Sequence, residues 1–353
     1  MSRPRIVLLF LVVAAIIVFG LIWTLWRLRS RSTAVAASTS AKVTVTKEGD
    51  DLTPTTVYAH NIRLHKGPNF RIYIRWIHGE MVRTSPQITP SFDDPDSFVL
   101  DIQKGVIHAN IGDIADYLNA SAPPDAPLKN ISIEPDGDQI KLRGTAHKIF
   151  SIPVELKGSL TYTQDGFVEF HATKINALKI PLKKLLGGFH IELSDLVRST
   201  NIPGIKVVGN DIIFDTTRVL PPPHIRGQLT AVKVRPPDIE VVYGNAPDDD
   251  AQLAKWHNFL RLNGGTINFG KLTMSYADLT MIDASRDPWF DLDLVNYQAQ
   301  LVRGYTRMTS QAGLEIFMPD ADESAPAKAA KSVTLEWLRD RNRALPPDIP
   351  AGK

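Results

Sequence analysis

The residues best suited to bind a ligand are lysines that lie among aliphatic residues near the middle of the chain. Each lysine close to a bilayer contributes about 1 kcal/mol of attraction to anionic head groups. An ordinary amphipathic helix with a solvated lysine edge would show the same pattern, and the segment taken alone favours that interpretation. The candidate head-group or membrane-surface residues are Lys174, Lys179, Lys183 and Lys184.

Spacings that support catalysis or metal binding are absent from the sequence. It contains no G-x-S-x-G elbow, no H-E-x-x-H pair and no glycine-rich phosphate loop. The nine histidines are dispersed, and the acidic runs at residues 93–96 and 248–250 lack the spacing of a calcium loop. Without cysteine there is no disulfide, zinc–thiolate site or thiol nucleophile. We therefore expect no catalytic residue, metal or cofactor, and a protein that is not an enzyme.

An uncharged apolar run at Ile6–Trp26 predicts a transmembrane helix. A helix of this length spans roughly 30 Å, the thickness of the hydrocarbon core, and Trp23 and Trp26 lie where an interfacial aromatic belt is expected. The alternatives are a buried soluble helix and a cleaved signal peptide. The run is longer than the apolar core of a cleaved signal, so we predict an uncleaved, single-pass signal anchor.

The charges that flank the anchor are nearly balanced. Arg3 and Arg5 precede it, while Arg27, Arg29 and Arg31 follow it. Because long domains can translocate regardless of nearby charge, we expect the N-terminus in the cytoplasm. The anchor would then lie in the inner (cytoplasmic) membrane, with the C-terminal body in the periplasm or another extracytoplasmic space.

The charge of the body argues against nucleic acid as a partner. The formal net charge is +2, and Arg3 and Arg5 account for it because residues 1–26 contain no acidic side chain. The rest of the chain is therefore neutral overall. Nucleic-acid binding usually requires a concentrated positive field, which this composition does not provide.

Shifts in composition divide the chain into successive segments. Residues 27–56 are rich in Ser, Thr and Ala, which is typical of a stalk, and strand-like alternation begins near Val57. The predicted segments are a short N-terminal tail (1–5), the anchor (6–26), the stalk (27–56), a β-rich domain (57–247), a C-terminal β-rich extension (248–320) and a linker with a C-terminal helix or tail (321–353).

Alternating apolar residues in the stretch Leu128–Lys184 predict an antiparallel meander. Asp136-Gly137 and Asp165-Gly166 supply the positive φ that tight hairpins need. A period of two places the apolar residues on one face of the sheet. The candidate groove residues on this face are Ile131, Ile133, Ile140, Leu142, Val154, Leu156, Val168 and Phe170.

The spacing of apolar residues changes after the meander. Leucines and Phe189 recur at steps of three and four residues between Leu182 and Val197, which predicts an amphipathic helix that packs on the apolar face. Its residues Leu182, Leu186 and Phe189 join the groove candidates. The predicted fold class is α+β: an N-terminal transmembrane helix, then a predominantly antiparallel, strongly twisted β-sheet domain wrapped on one or two amphipathic helices.

Several segments between Ile111 and Asp215 carry a resemblance to a known family. In order, they are a short helix before APLKNISI, then DGDQIKLRG, SIPVELKGSLTY, DGFVEFHATKI, LKIPLKKLL and NIPGIKVVGNDIIFD, together about a third of the chain. Their order resembles that of the bacterial tubular lipid-binding (TULIP-type) envelope proteins, especially the LmeA-like phospholipid-binding family. The resemblance implies a twisted sheet curled around a helix, an apolar groove for acyl chains, no catalytic residues and an exported location. It transfers no named binding residue, and the region after Asp248 lies outside it.

The sequence leaves two functions open for the apolar face of the meander. If the face is a groove, the protein is a membrane-anchored envelope protein that binds or transfers membrane lipid between a twisted sheet and a helix. If the helix closes the face into a core, the protein is a non-catalytic structural or assembly protein that presents its β-rich domain to an envelope partner. The anchor, the basic residues and the lack of catalytic spacing favour lipid.

Overall fold

The computed structural model describes residues 52–66, 70–122, 126, 128–147, 151–177, 193, 204–245, 256–285, 288–294 and 296–321. Contacts divide the chain into two compact units, Met1–Gly49 and Asp50–Lys353, and every described residue belongs to the second unit. The predicted N-terminal tail, the anchor, most of the stalk and the C-terminal helix or tail lie outside the described residues. Within the described residues, no helix is long and apolar enough to cross a membrane.

Strands dominate the described residues and helices are few, which confirms the predicted β-rich α+β class. The strands are β1 (Thr55–His65), β2 (Arg71–Arg83), β3 (Phe98–Asn110), β4 (Leu128–Asp136), β5 (Gln139–His147), β6 (Ser151–Tyr162), β7 (Val168–Ala177), β8 (Ile205–Val208), β9 (Asp211–Phe214), β10 (His224–Gly227), β11 (Leu229–Arg235), β12 (Asp238–Tyr243), β13 (Phe259–Asn263), β14 (Thr266–Phe269), β15 (Leu272–Ser275), β16 (Asp278–Asp283), β17 (Phe290–Asp293), β18 (Tyr305–Met308) and β19 (Leu314–Met318). The helices are α1 (Ile111–Ser121), α2 (Thr216–Val219) and α3 (Tyr297–Arg303), and Pro95–Ser97 forms a 3-10 turn.

The large sheet has eleven strands, nine of them in the order β11-β12-β3-β2-β1-β13-β16-β19-β18. The other two lie beside long strands: β10 pairs with the first part of β3, and β17 pairs with the second part of β1. Most neighbours are antiparallel, whereas β10–β3, β1–β17 and β16–β19 are parallel. Strands from both sides of the predicted boundary at residues 247 and 248 thus share one sheet.

The small sheet has six strands in the order β4-β5-β6-β7-β9-β8, and every neighbouring pair is antiparallel. Its first four strands follow chain order, so the predicted antiparallel meander is confirmed over Leu128–Ala177. Gly137 and Gly166 have φ of +70° and +80° in the two hairpin turns. These are the left-handed values for which the Asp-Gly pairs were expected.

The main core lies on one face of the large sheet. Alternate residues of β2 point into it, including Ile72 and Ile74, as the period of a strand requires. Burial of each such side chain contributes about 1.5–3 kcal/mol. The opposite wall comes from the loop before β3, the β14–β15 hairpin and α3, where the rings of Phe92, Phe269 and Tyr297 contact one another.

Helix α1 links the large sheet to the small one. It begins after Asn110, whose side chain accepts hydrogen bonds from the backbone N–H groups of Gly112 and Asp113. Near its end, the Asn119 side chain both donates to the carbonyl of Ile131 and accepts from its N–H, each at 2.7 Å. These two hydrogen bonds satisfy backbone groups at a bulge in β4 and fix the helix against the edge of the small sheet.

Candidate functional site

The small sheet has two chemically different faces because its strands alternate apolar and charged residues. On one face, the apolar side chains of paired strands line up in continuous rows. The row across β4, β5, β6 and β7 consists of Ile133, Leu142, Leu156 and Ile175. The row across β6, β7, β9 and β8 consists of Leu160, Phe170, Ile212 and Val207.

Glycine lets the apolar rows approach closely at the centre of this face. A Cβ added to Gly158 would lie 2.7 Å from the ring of Phe170 and 2.1 Å from the carbonyl oxygen of His171. The aromatic ring therefore packs directly over the strand beside it. Leu156, next to Gly158 on the same face, is 0% exposed. The centre of the face is consequently a dry apolar surface.

The predicted groove residues fall into three groups. Five are buried in the small sheet's apolar cluster: Ile140, Leu142, Val154, Leu156 and Phe170. Ile131 and Ile133 are partly buried at its β4 edge, whereas Val168 is partly buried and packs against the main core of the large sheet. Leu182, Leu186 and Phe189 lie outside the described residues.

Described residues that cover the apolar face come from two distant parts of the chain. Leu193, from the segment predicted as an amphipathic helix, is buried in the apolar cluster, and its N–H donates to the side chain of Asn210. Val234 of β11 packs against the same cluster from the large sheet. The face is therefore covered at its centre, while its edges at β4 and β8 are partly buried.

The other face of the small sheet carries a network of charges. Arg143 bonds to Glu134 at 2.9 Å and to Glu155 at 2.8 Å. The hydrogen bond from Arg143 holds the pKa of Glu155 below its ordinary value. Lys157 lies 2.9 Å from Asp136, and this hydrogen bond and charge lower the pKa of Asp136. Such exposed pairs contribute little to stability, but they identify this face as the wet one.

One of the four predicted head-group lysines can be placed. Lys174 is exposed and is paired across the strands with Lys157, so it lies on the charged face rather than beside the apolar rows. Lys179, Lys183 and Lys184 lie outside the described residues.

Sequence reasoning missed a cleft on the large sheet that is lined by residues from separate segments. Its volume is about 170 Å³, and its walls include Trp256, Arg261 and Glu315. Phe259 and Arg261 are two residues apart on β13 and therefore lie on the same face of the sheet. Which strands lie beside them was not visible, because β13 and β19 are far apart in the chain.

Comparison with known proteins gives no match: no family model, curated protein or solved structure is significantly similar to the chain. The resemblance to tubular lipid-binding proteins and the lipid groove therefore stay predictions. The amphipathic six-stranded sheet itself is the feature on which a functional proposal can be built.

Proposed function

We propose that this chain is a membrane-anchored envelope protein that binds or transfers lipid along the apolar face of the small sheet. The observation that supports the proposal is the pair of apolar rows, each across four of the six strands, opposite a face that carries ion pairs. A sheet with one apolar face suits acyl chains because each buried methylene contributes about 0.8 kcal/mol.

Lipid would enter at the partly buried edge rather than at the closed centre. Ile131 and Ile133 form this edge on β4, where they are partly buried against the apolar cluster. An acyl chain that slides in from there displaces Leu193 and Val234, which cover the centre. The predicted single-pass anchor keeps the edge beside its lipid source and raises the effective lipid concentration.

The compactness of Asp50–Lys353 allows a direct test on this body, since it forms a unit without Met1–Gly49. The purified body is analysed by mass spectrometry for co-purifying lipid, then delipidated and titrated with a fluorescent phospholipid. We expect lipid in the first assay and saturable binding in the second. Absence of lipid above background in both assays would refute the proposal.

Two neighbouring residues of β4 supply a matched pair of variants. Ile133 faces the apolar cluster, while Ser132 is exposed on the other side of the strand. Ile133→Asp should weaken lipid binding at least about tenfold, because an unpaired carboxylate on an apolar surface costs more than 1.4 kcal/mol. Ser132→Asp should leave binding unchanged.

A second candidate function is a structural or assembly role that presents the β-rich domain to an envelope protein. The edge of the large sheet favours it: among the described residues β18 pairs with β19 alone, and Met308 at its end is 50% exposed. Edge strands with apolar side chains are surfaces on which another chain can add a strand. Cross-linking that captures one protein at stoichiometric yield, with no lipid in the body, would favour this role.

A further inference from the structure

The large sheet has a polar row on the face that points away from its main core. Leu260 and Leu262 of β13 point into the core, so the intervening Arg261 points to the opposite side. Strand pairing extends the row from Arg261 across three further strands. Its members on β13, β16, β19 and β18 are Arg261, Thr280, Glu315 and Arg307.

The cleft of about 170 Å³ opens over this row. Trp256 and Phe259 make its walls partly apolar, and both are buried. The polar groups that line it are Arg261, Asp278, Thr280, Thr309, Gln311 and Glu315.

Charges around the cleft offset one another. Arg307 donates to Glu315 through both Nε and Nη2, and its guanidinium lies 5.7 Å from the centre of the Trp256 ring. Arg261 Nη2 donates to Asp278 at 3.4 Å. Two guanidinium groups are thus balanced by two carboxylates, which disfavours a strongly charged ligand. Within the described residues, no group of three or more His, Asp or Glu side chains is placed to hold a metal ion.

Arg261 carries a donor at the cleft that is left unsatisfied. The Nε atom of Arg261 is buried and has no hydrogen-bond partner within the described part of the chain. A buried donor without an acceptor is unfavourable, so a ligand oxygen that satisfied it would gain a hydrogen bond. The Asp278 carboxylate and the Gln311 amide offer acceptors and a further donor beside it.

We infer that this cleft binds a single neutral sugar ring. A pyranose combines an apolar ring face with hydroxyl groups that both donate and accept hydrogen bonds. Those properties match a cleft with aromatic walls, mixed donors and acceptors, and no net charge. Its size fits one ring and not an acyl chain, so the site is separate from the apolar face of the small sheet.

Saturation-transfer NMR on the full chain in a sugar-free detergent tests this assignment. The probes are the methyl glycosides of glucose, galactose, mannose and N-acetylglucosamine, with choline and glucuronate as charged comparisons. We expect at least one neutral glycoside to saturate. Thr280→Val and Gln311→Ala should each weaken it about fivefold, the loss of roughly one hydrogen bond, and Arg261→Gln should weaken it by more.

Gln103→Ala is the matched control, since Gln103 is an exposed glutamine of β3 outside the cleft. It should leave the affinity unchanged, and circular dichroism checks that every variant is folded. Nanodiscs with a monoglycosyl diacylglycerol distinguish a lipid-borne sugar from a free one, and binding of either supports the site. No binding of any neutral sugar, stronger binding of choline or glucuronate, or equal losses in Gln103→Ala and Gln311→Ala would overturn it.

Discussion

Lys66 follows the last residue of β1, and its side chain is only 4% exposed. Burial disfavours the charged ammonium and lowers the pKa of Lys66 to about 7. In the unfolded chain the same group keeps its proton up to about pH 10. Between these two values the unfolded state binds one proton more than the folded state, so the free energy of unfolding rises with pH.

Lys66→Met should therefore stabilise the protein most at low pH. Below about pH 7 the folded state holds a buried charge, and its removal should raise the free energy of unfolding by about 3–5 kcal/mol. The gain should shrink steadily between pH 7 and pH 9.5. Urea unfolding of wild type and variant, followed by circular dichroism, measures it, and a difference that does not change with pH would contradict the assignment.

Asp320 is a second residue whose titration is shifted, in this case upwards. Burial raises the pKa of Asp320 to about 6, and the nearby carboxylates of Asp283 and Asp291 add to the shift. The N–H of Asp291 donates to the Asp320 carboxylate at 2.8 Å, and this hydrogen bond partly opposes the rise in the pKa of Asp320. Asp291 stays ionised: burial acts against this, but hydrogen bonds from His65 and Arg63 hold its pKa below the ordinary value.

Asp320→Asn should consequently stabilise the protein at neutral pH. The folded state holds the Asp320 proton up to about pH 6, whereas the unfolded state loses it near pH 4. The contribution of Asp320 to the free energy of unfolding is therefore complete below about pH 4 and is lost as the pH rises through 6. At pH 7 we expect Asp320→Asn to raise the free energy of unfolding by about 1–2 kcal/mol. This is less than the full pKa shift would give, because the group is half-buried and solvent screens it. The gain should vanish below pH 4.

Asp165→Asn is the control for this measurement, because Asp165 is exposed in the turn between β6 and β7. It should change the unfolding free energy by less than about 0.5 kcal/mol at either pH. A gain for Asp320→Asn that persists at pH 3.5 would show that titration is not its cause.

At the scale of elements, the sequence predicted what depends on neighbours in the chain. Alternation placed Leu142 and Leu156 on one face, and the Asp-Gly pairs located two turns. The short helix expected before APLKNISI is α1, Ile111–Ser121. The bulge between β6 and β7 was not predictable, because it depends on how Lys157 and Gly158 meet β7.

Gly158 provides a test of the packing between β6 and β7. Gly158→Ala should destabilise the protein by about 2–3 kcal/mol, because the new Cβ would collide with the backbone carbonyl of His171. Gly137→Ala is the matched control: its φ is +70°, and nothing lies within 4 Å of the added Cβ. It should cost only about 1 kcal/mol of backbone strain. Urea unfolding measures both variants, and equal losses of unfolding free energy in Gly158→Ala and Gly137→Ala would contradict the close approach of β6 and β7 at Gly158.

At the scale of the whole molecule, the small sheet is an excursion from the large one. The chain leaves the large sheet after β3, builds β4 to β9, and returns as β10 beside the strand it left. Later segments extend the large sheet, since β13 and β17 pair with β1. Local periodicity carries no information about such distant partners, so the sequence could not predict this arrangement. The division at residues 247 and 248 stays a prediction.

The same distance in sequence explains why the cleft escaped sequence analysis. Arg261 and Glu315 become neighbours of Thr280 only when β13, β16 and β19 pair. The apolar face, in contrast, is built from consecutive strands, and alternation alone located five of its buried residues: Ile140, Leu142, Val154, Leu156 and Phe170.

Photo-crosslinking with a phospholipid that carries a diazirine at the end of an acyl chain shows which residues the bound acyl chain contacts. The full chain is irradiated in membranes, and the labelled peptides are mapped by mass spectrometry. We expect label on the apolar rows of the small sheet, at or beside Ile133 and Leu160, with loss of that label in Ile133→Asp and its retention in Ser132→Asp. Label confined to residues 6–26, with none between residues 128 and 177, would contradict it.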